Sequence, residues 1–177
     1  MPGILVVAGA AYGIDEEMLR HRLDPYLGRV RWMTGADQLP AEHLDLVVSA
    51  ATQVVLPFEE TASAVSGSLL FSMTHGRCIV TTDVGENKST LSGHGLIVPP
   101  RDADAVADEL ELAVSDPDSC DRIGQEVRAH VLDKFDWGRV AALTLRAYAA
   151  ARQQKIQRTH SVPEVADQKV HTSSRYE

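Results

Sequence analysis

The chain has 177 residues and a mass of 19.3 kDa, with 44% hydrophobic and 24% charged residues, 12 Gly and 8 Pro. That is a globular composition of one-domain size, which excludes whole-chain disorder and collagen-like repeats. Seventeen Lys+Arg against 25 Asp+Glu leave a net charge of −8 and a pI near 5.3, so no positive field exists to hold a nucleic-acid backbone. No window reaches the ~18 apolar residues of a spanning helix. Residues 1–9 have neither the basic start nor the h-region of a secretory signal. The expected location is the cytoplasm, either free or peripheral at the inner membrane face. Cys78 and Cys120 form no CxxC, have no His at ligand spacing, and read as reduced thiols.

In chain order, short continuous apolar runs alternate with amphipathic stretches, the signature of buried parallel strands joined by crossover helices. A first strand is expected over 4–8, then a helix over 15–23 with Met18 and Leu19 among charges. A second strand over 30–33 leads to a helix over 41–51, introduced by Pro40. The third strand, 53–56, precedes a loop that ends in Ser66-Gly67-Ser68. An unusually apolar helix over 66–75 follows, closed by Gly76 as a left-handed cap. Strands over 78–82 and 95–98 complete the set, each run being rich in Val, Ile or Leu and bounded by Gly or Pro.

Beyond Pro99-Pro100 only helices are expected. Asp102 N-caps the first, which carries Val106, Leu110 and Val114 on one face. A second starts after Asp116-Pro117, and a third over 137–154 has Val140, Leu143, Ala147 and Ala151 as a stripe. From Lys155 the composition is polar and aperiodic, and it cannot offset the entropy of ordering. The expectation is one α/β domain over 1–154 and a disordered polar tail over 155–177. The domain would be a Rossmann-like parallel sheet of about five strands with flanking helices and a helical C-terminal flank.

Ligands of open parallel sheets collect at the carboxyl ends of the strands. After the first strand, Ala8-Gly9-Ala10-Ala11-Tyr12-Gly13 lacks the G-x-G-x-x-G spacing of a dinucleotide site, which argues against NAD. After the third, Gly67 removes a side chain where a helix N-terminus offers unpaired N–H groups and a positive dipole end. That suits a phosphate or diphosphate, with Ser66 and Ser68 adding hydroxyl donors. The alternative is that Ser66 is only an N-cap.

After the fourth strand, Gly85 and Asn87 can take positive φ and bring backbone close to a ligand, and Glu86 can accept from sugar hydroxyls. An ordinary loop is the alternative, and Lys88 there reads as solvated. The seven His never fall at His-x3-His, so no metal is expected, and Asp116-Pro117-Asp118 reads as helix capping. Gly-x-Ser-x-Gly, Walker and kinase patterns do not occur, so a serine hydrolase or NTPase has no support.

Three segments then carry a resemblance: Val54-Val55-Leu56-Pro57-Phe58, Ser66-Gly67-Ser68-Leu69-Leu70-Phe71-Ser72-Met73 and Gly76-Arg77-Cys78-Ile79-Val80-Thr81-Thr82-Asp83-Val84-Gly85. With Gly95-Leu96-Ile97-Val98-Pro99-Pro100-Arg101-Asp102, the Asp116-Pro117 start and Phe135-Asp136-Trp137, they run in the order of one family. The set resembles the C-terminal, donor-binding half of family-four glycosyltransferases of GT-B fold. This implies a hexosyltransferase-type domain of polysaccharide or glycolipid biosynthesis that holds a nucleotide-diphosphate sugar as co-substrate, uses no cofactor, and faces a separate acceptor domain.

Position by position, the resemblance puts the diphosphate on Ser66, Gly67 and Ser68. It puts the donor sugar at Gly85, Glu86 and Asn87, and the nucleotide at Gly9 and the loop Met33-Thr34-Gly35. Catalytic residues stay unassigned. The family's Glu-x7-Glu pair falls on Ser63 and Phe71, so both carboxylates are replaced. The family's central strand, with the Arg and Lys that follow it, would precede the first strand read here. In a 3-2-1-4-5-6 order its loss opens the middle of the sheet, so either the flanking strands pair directly or another chain fills the gap. Expected partners are a nucleotide sugar and an acceptor-domain chain or a second copy. The alternative is an inactive half-domain serving as a binding or interaction module. A receiver-like or flavodoxin-like domain ranks lower, since no acidic cluster follows the first strand to hold Mg²⁺.

Overall fold

Every strand in the computed structural model of the chain runs parallel to its neighbour, and residues 3–10, 15–35, 39–59 and 65–160 are described. The elements follow the expected alternation: β1 (Leu5–Ala10), α1 (Glu16–Leu23), a 3-10 helix (Asp24–Arg29), β2 (Val30–Gly35), α2 (Ala41–Ala50), β3 (Gln53–Leu56), α3 (Gly67–Thr74), β4 (Cys78–Thr82), α4 (Asn87–Leu91), β5 (Leu96–Val98), α5 (Ala103–Ser115), α6 (Pro117–Lys134) and α7 (Trp137–His160). The chain divides into two units, Met1–Lys134 and Phe135–Glu177. No described helix is long and apolar enough to cross a membrane.

The strands do not form one sheet. β1 pairs with β2 from Leu5↔Val30 to Ala10↔Gly35, and β3, β4 and β5 form a separate three-stranded sheet in that order. Of the two arrangements expected for an opened sheet, direct pairing across the middle does not occur among the described residues.

The core of the first unit is built around β4, all five of whose residues are buried. Ile79 and Val80 are fully buried, as are Leu69 and Met73 of α3, Leu91 of α4, and Cys120 and Val127 of α6, which packs on both β4 and α3. Burial of each such aliphatic side chain contributes roughly 1.5–3 kcal/mol. The helix α6 approaches closely because Gly124 has no side chain: a Cβ there would stand 2.3 Å from the carbonyl oxygen of Gly76. Two hydroxyls lash β4 to the end of β3, Thr81 Oγ1 donating to Leu56 O at 2.9 Å and Thr82 Oγ1 to Phe58 O at 2.6 Å. Both cysteines are free and buried, and desolvation pushes the Cys78 thiol up to about 12.

Several expectations hold in detail. Gly76 adopts φ 65°, Asp102 accepts from the Ala105 N–H at 2.9 Å, and Asp116 accepts from the Ser119 N–H at 3.1 Å. Others need correcting. The first two strands run on through Gly9 and Gly35, so Gly9, Met33, Thr34 and Gly35 are strand residues and not loop. The segment after β4 is a turn followed by the short helix α4, and Asn87 is helical, without positive φ. In the second unit, α7 begins after Asp136, whose Oδ1 accepts from the Arg139 N–H at 3.1 Å. Its backbone stays helical to His160 rather than stopping at 154. Lys, Gln and Arg are good helix formers, and extending an existing helix costs no new nucleation.

Candidate functional site

In a parallel β-α-β unit the helix runs against the strands, which brings the N-terminus of α3 to the carboxyl edge of the β3–β5 sheet. Ser66 precedes it in extended geometry, φ −70° and ψ 123°, and its Oγ accepts from the Leu69 N–H at 3.3 Å. The first intrahelical bond is Leu70 N–H to Ser66 O at 3.1 Å. The amides of Gly67 and Ser68 therefore have no acceptor among the described residues, as the geometry of a helix start requires. Both residues are exposed, and a Cβ built on Gly67 meets nothing within 4 Å. Cap and anion cradle are thus compatible: one amide goes to the serine, two have no acceptor among the described residues, and the Ser66 and Ser68 hydroxyls can still donate.

The turn after β4 lies at the same edge. Its start is fixed by Asp83 N–H bonding to Val98 O at 2.9 Å, and Gly85 turns the chain with φ 52°. Gly85 and Glu86 are exposed, and the Glu86 carboxylate accepts from the Ser89 hydroxyl. Asn87 is 1% exposed and supports the turn from beneath, its Nδ2 donating to Thr81 Oγ1 and Thr82 O, each at 3.2 Å. Its own N–H bonds Val84 O at 3.2 Å. Of the three residues expected near a sugar, two face solvent and the third holds them in place.

At the end of the β1–β2 pair the structure brings Gly9 beside Thr34 and Ala8 beside Met33. The Thr34 hydroxyl donates to Glu16 Oε1 at 2.8 Å, Arg20 Nε donates to the same oxygen at 2.8 Å, and the guanidinium lies 4.5 Å from the centre of the Trp32 ring. The Thr34 hydrogen bond, followed by those of Arg20, holds the Glu16 carboxyl below its ordinary value. The sequence reading missed this cluster, although Glu16 and Arg20 stand at the i,i+4 spacing of a helix pair.

Charge at the edge is already matched. Arg20 pairs with Glu16, Lys88 with Asp83 at 3.4 Å, and Arg101 with Glu59 at 3.3 Å. Phe71, at one of the family's two Glu positions, is half-buried with its ring centroid 4.6 Å from that of His75. Ser63, at the other, lies outside the described residues. An anion at this edge would meet backbone dipoles before any unpaired cation among the described residues.

Residues 4–116 match the family described as glycosyl transferases group 1. The chain belongs to that family. No curated protein matches it in sequence. Among solved structures, sucrose-phosphate synthase from Thermosynechococcus elongatus is similar at 23% identity and a TM-score of 0.69, over 85% of this chain and 38% of its own. Anabaena HepE in complex with UDP is similar at 14% identity and 0.74, over 84% and 41%. The C-terminal domain of the glycosyl transferase group 1 family protein LpcC from Francisella tularensis gives 17% and 0.59, over 69% and 63%. This group 1 chain spans about two fifths of the length of the first two. At these identities the likeness is one of fold, that of an α/β half of a GT-B glycosyltransferase.

Proposed function

We propose that the chain is the donor-binding domain of a glycosyltransferase, holding a nucleotide-diphosphate sugar while the glycosyl group passes to a polysaccharide- or glycolipid-class acceptor. The observation that carries this reading is the open N-terminus of α3. In glycosyl transfer the diphosphate leaves and gathers negative charge as the glycosidic bond to it breaks. The Gly67 and Ser68 amides and the positive end of α3 are fixed before the reaction, so they stabilise that charge more in the transition state than in the ground state. Gly85 and Glu86 would meet the sugar, with Asn87 positioning them, and the end of the β1–β2 pair at Gly9, Met33, Thr34 and Gly35 would meet the nucleoside. The complex of HepE with UDP supports a nucleotide of this class. The acceptor site would come from a partner chain or a second copy.

Titration calorimetry against UDP-, GDP- and ADP-sugars tests the reading: heat is expected with at least one at millimolar concentration, and no heat with any overturns it. Gly67→Pro sharpens the test, because proline suits the first helical position and the extended Ser66 before it, yet removes one amide donor. Affinity should fall about 10–100-fold, the worth of one hydrogen bond to a charged group, with the fold unchanged.

Phe71 in place of a carboxylate, and cations already paired, favour a second reading, an inactive half-domain that binds or interacts without turnover. Glycosyl transfer on co-expression with an acceptor-domain chain would refute it.

A further inference from the structure

A threonine hydroxyl has one proton to give and two lone pairs to receive, and at Thr34 the structure shows where most of that capacity goes. A carboxylate only accepts, so the 2.8 Å contact with Glu16 Oε1 consumes the proton. The Glu16 carboxyl, lowered chiefly by this hydrogen bond, agrees with an ionised acceptor. A guanidinium only donates, so Arg20 Nη2, 3.4 Å from Thr34 Oγ1, takes one lone pair of that oxygen. Arg20 is itself held, its Nε 2.8 Å from Glu16 Oε1 and its guanidinium 4.5 Å from the centre of the Trp32 ring. Thr34 is left with one lone pair. Towards a ligand it is an acceptor and not a donor.

The backbone beside it is clear. Gly9 pairs with Thr34 across the two strands, adopts φ 132°, and a Cβ built on it meets nothing within 4 Å. Gly35, the next residue of β2, pairs with Ala10. A flat ring placed on the end of these strands therefore meets no side chain at Gly9 or Gly35.

We propose that Thr34 selects the nucleobase of the donor by accepting from a ring N–H, and that Glu16 is the positioning residue that keeps the hydroxyl proton turned away from the ligand. The inference rests on the proposed function, which brings the nucleoside to this end of the β1–β2 pair. The chemistry divides the bases in two. Uracil at N3 and guanine at N1 carry a ring N–H, whereas adenine at N1 and cytosine at N3 present a lone pair that would face the lone pair of Thr34. A uridine or guanosine diphosphate sugar fits this site; an adenosine or cytidine one does not.

The test titrates the full chain in the calorimeter with UDP, GDP, ADP and CDP, and with N3-methyl-UDP and N1-methyl-GDP, in which the ring N–H is blocked. The tighter of UDP and GDP should bind about tenfold better than ADP, CDP and its own methylated form, the worth of one hydrogen bond. Thr34→Val keeps the shape and removes the acceptor. It should cost the preferred nucleotide that tenfold and leave the methylated form unchanged, whereas a purely steric penalty of the methyl group would persist. Thr34→Ser should restore the preference. Glu16→Ala leaves Arg20 against the oxygen and frees the proton to point outward, so the gap between the preferred nucleotide and ADP should close. ADP or CDP binding as well as UDP and GDP, full tolerance of methylation, or discrimination that survives Thr34→Val would overturn the proposal. Those outcomes, with nucleotide heat present, leave donor binding standing; no heat with any nucleotide removes donor binding and this inference together.

Discussion

The two sheets of the first unit differ in how they are held. In the three-stranded sheet, β4 is buried at every position, packed by α5 and α6 and joined to α4 through Asn87. In the two-stranded sheet, no position of β1 with a described burial is buried, α1 buries no residue, and a polar cluster of Glu16, Arg20 and Thr34 joins α1 to β2. The N-terminus of α3 therefore stands beside a fully buried strand, whereas the end of the β1–β2 pair stands on a sheet with little apolar burial of its own.

Paired truncations give the sharpest break of this contrast. Ile79→Ala, in β4 at 0% exposed, should lower unfolding free energy by about 2–5 kcal/mol in urea denaturation, whereas Val6→Ala, at 40% exposed, should cost less than about 1 kcal/mol. Equal losses would mean that the halves share one core. A smaller effect is expected in alkali. The Cys78 pKa is about 12 in the folded chain against 9.0 for an ordinary thiol, so the unfolded chain releases its proton first. The stabilisation is fully present below pH 9 and declines as pH rises from 9 towards 12. Denaturation at pH 8 and pH 10 should show that decline, and Cys78→Ala should remove the thiol's share of it.

The smallest effect belongs to the two-stranded half. Glu16 is held below its ordinary 4.5, so its contribution is present above pH 4.5 and lost as pH falls through the folded value. Trp32 emission, followed in a Trp137→Phe background, should change in that acid range, and Glu16→Gln should abolish the change.

Much of this was legible in the sequence. Continuous apolar runs located all five strands, because burial on both faces leaves that trace even in short segments. Ser66 and Gly67 before an apolar run marked the open helix start, since capping is a local matter. What could not be read depends on distant partners. Asn87 looks like a loop residue, and only the return of the chain beside Thr81 and Thr82 makes it a buried support. The five polar-rich residues of α4 are too few to show a period. The division into two sheets was visible only as a choice between direct pairing and a gap, since a strand's composition does not name its neighbour.

The glycine contact between α6 and the end of α3 has a reach beyond local packing. Gly124 rests against Gly76, and Arg128 Nε donates to Thr74 O at 3.0 Å, so α6 grips α3 by its C-terminus. The Gly67 and Ser68 amides sit about 12 Å away at the other end of that eight-residue rod. A shift of the gripped end would tilt the rod and move the opposite tip, where the Gly67 and Ser68 amides lie. The orientation of the Gly67 and Ser68 amides is therefore set from behind, by the helix packed against the far end of α3.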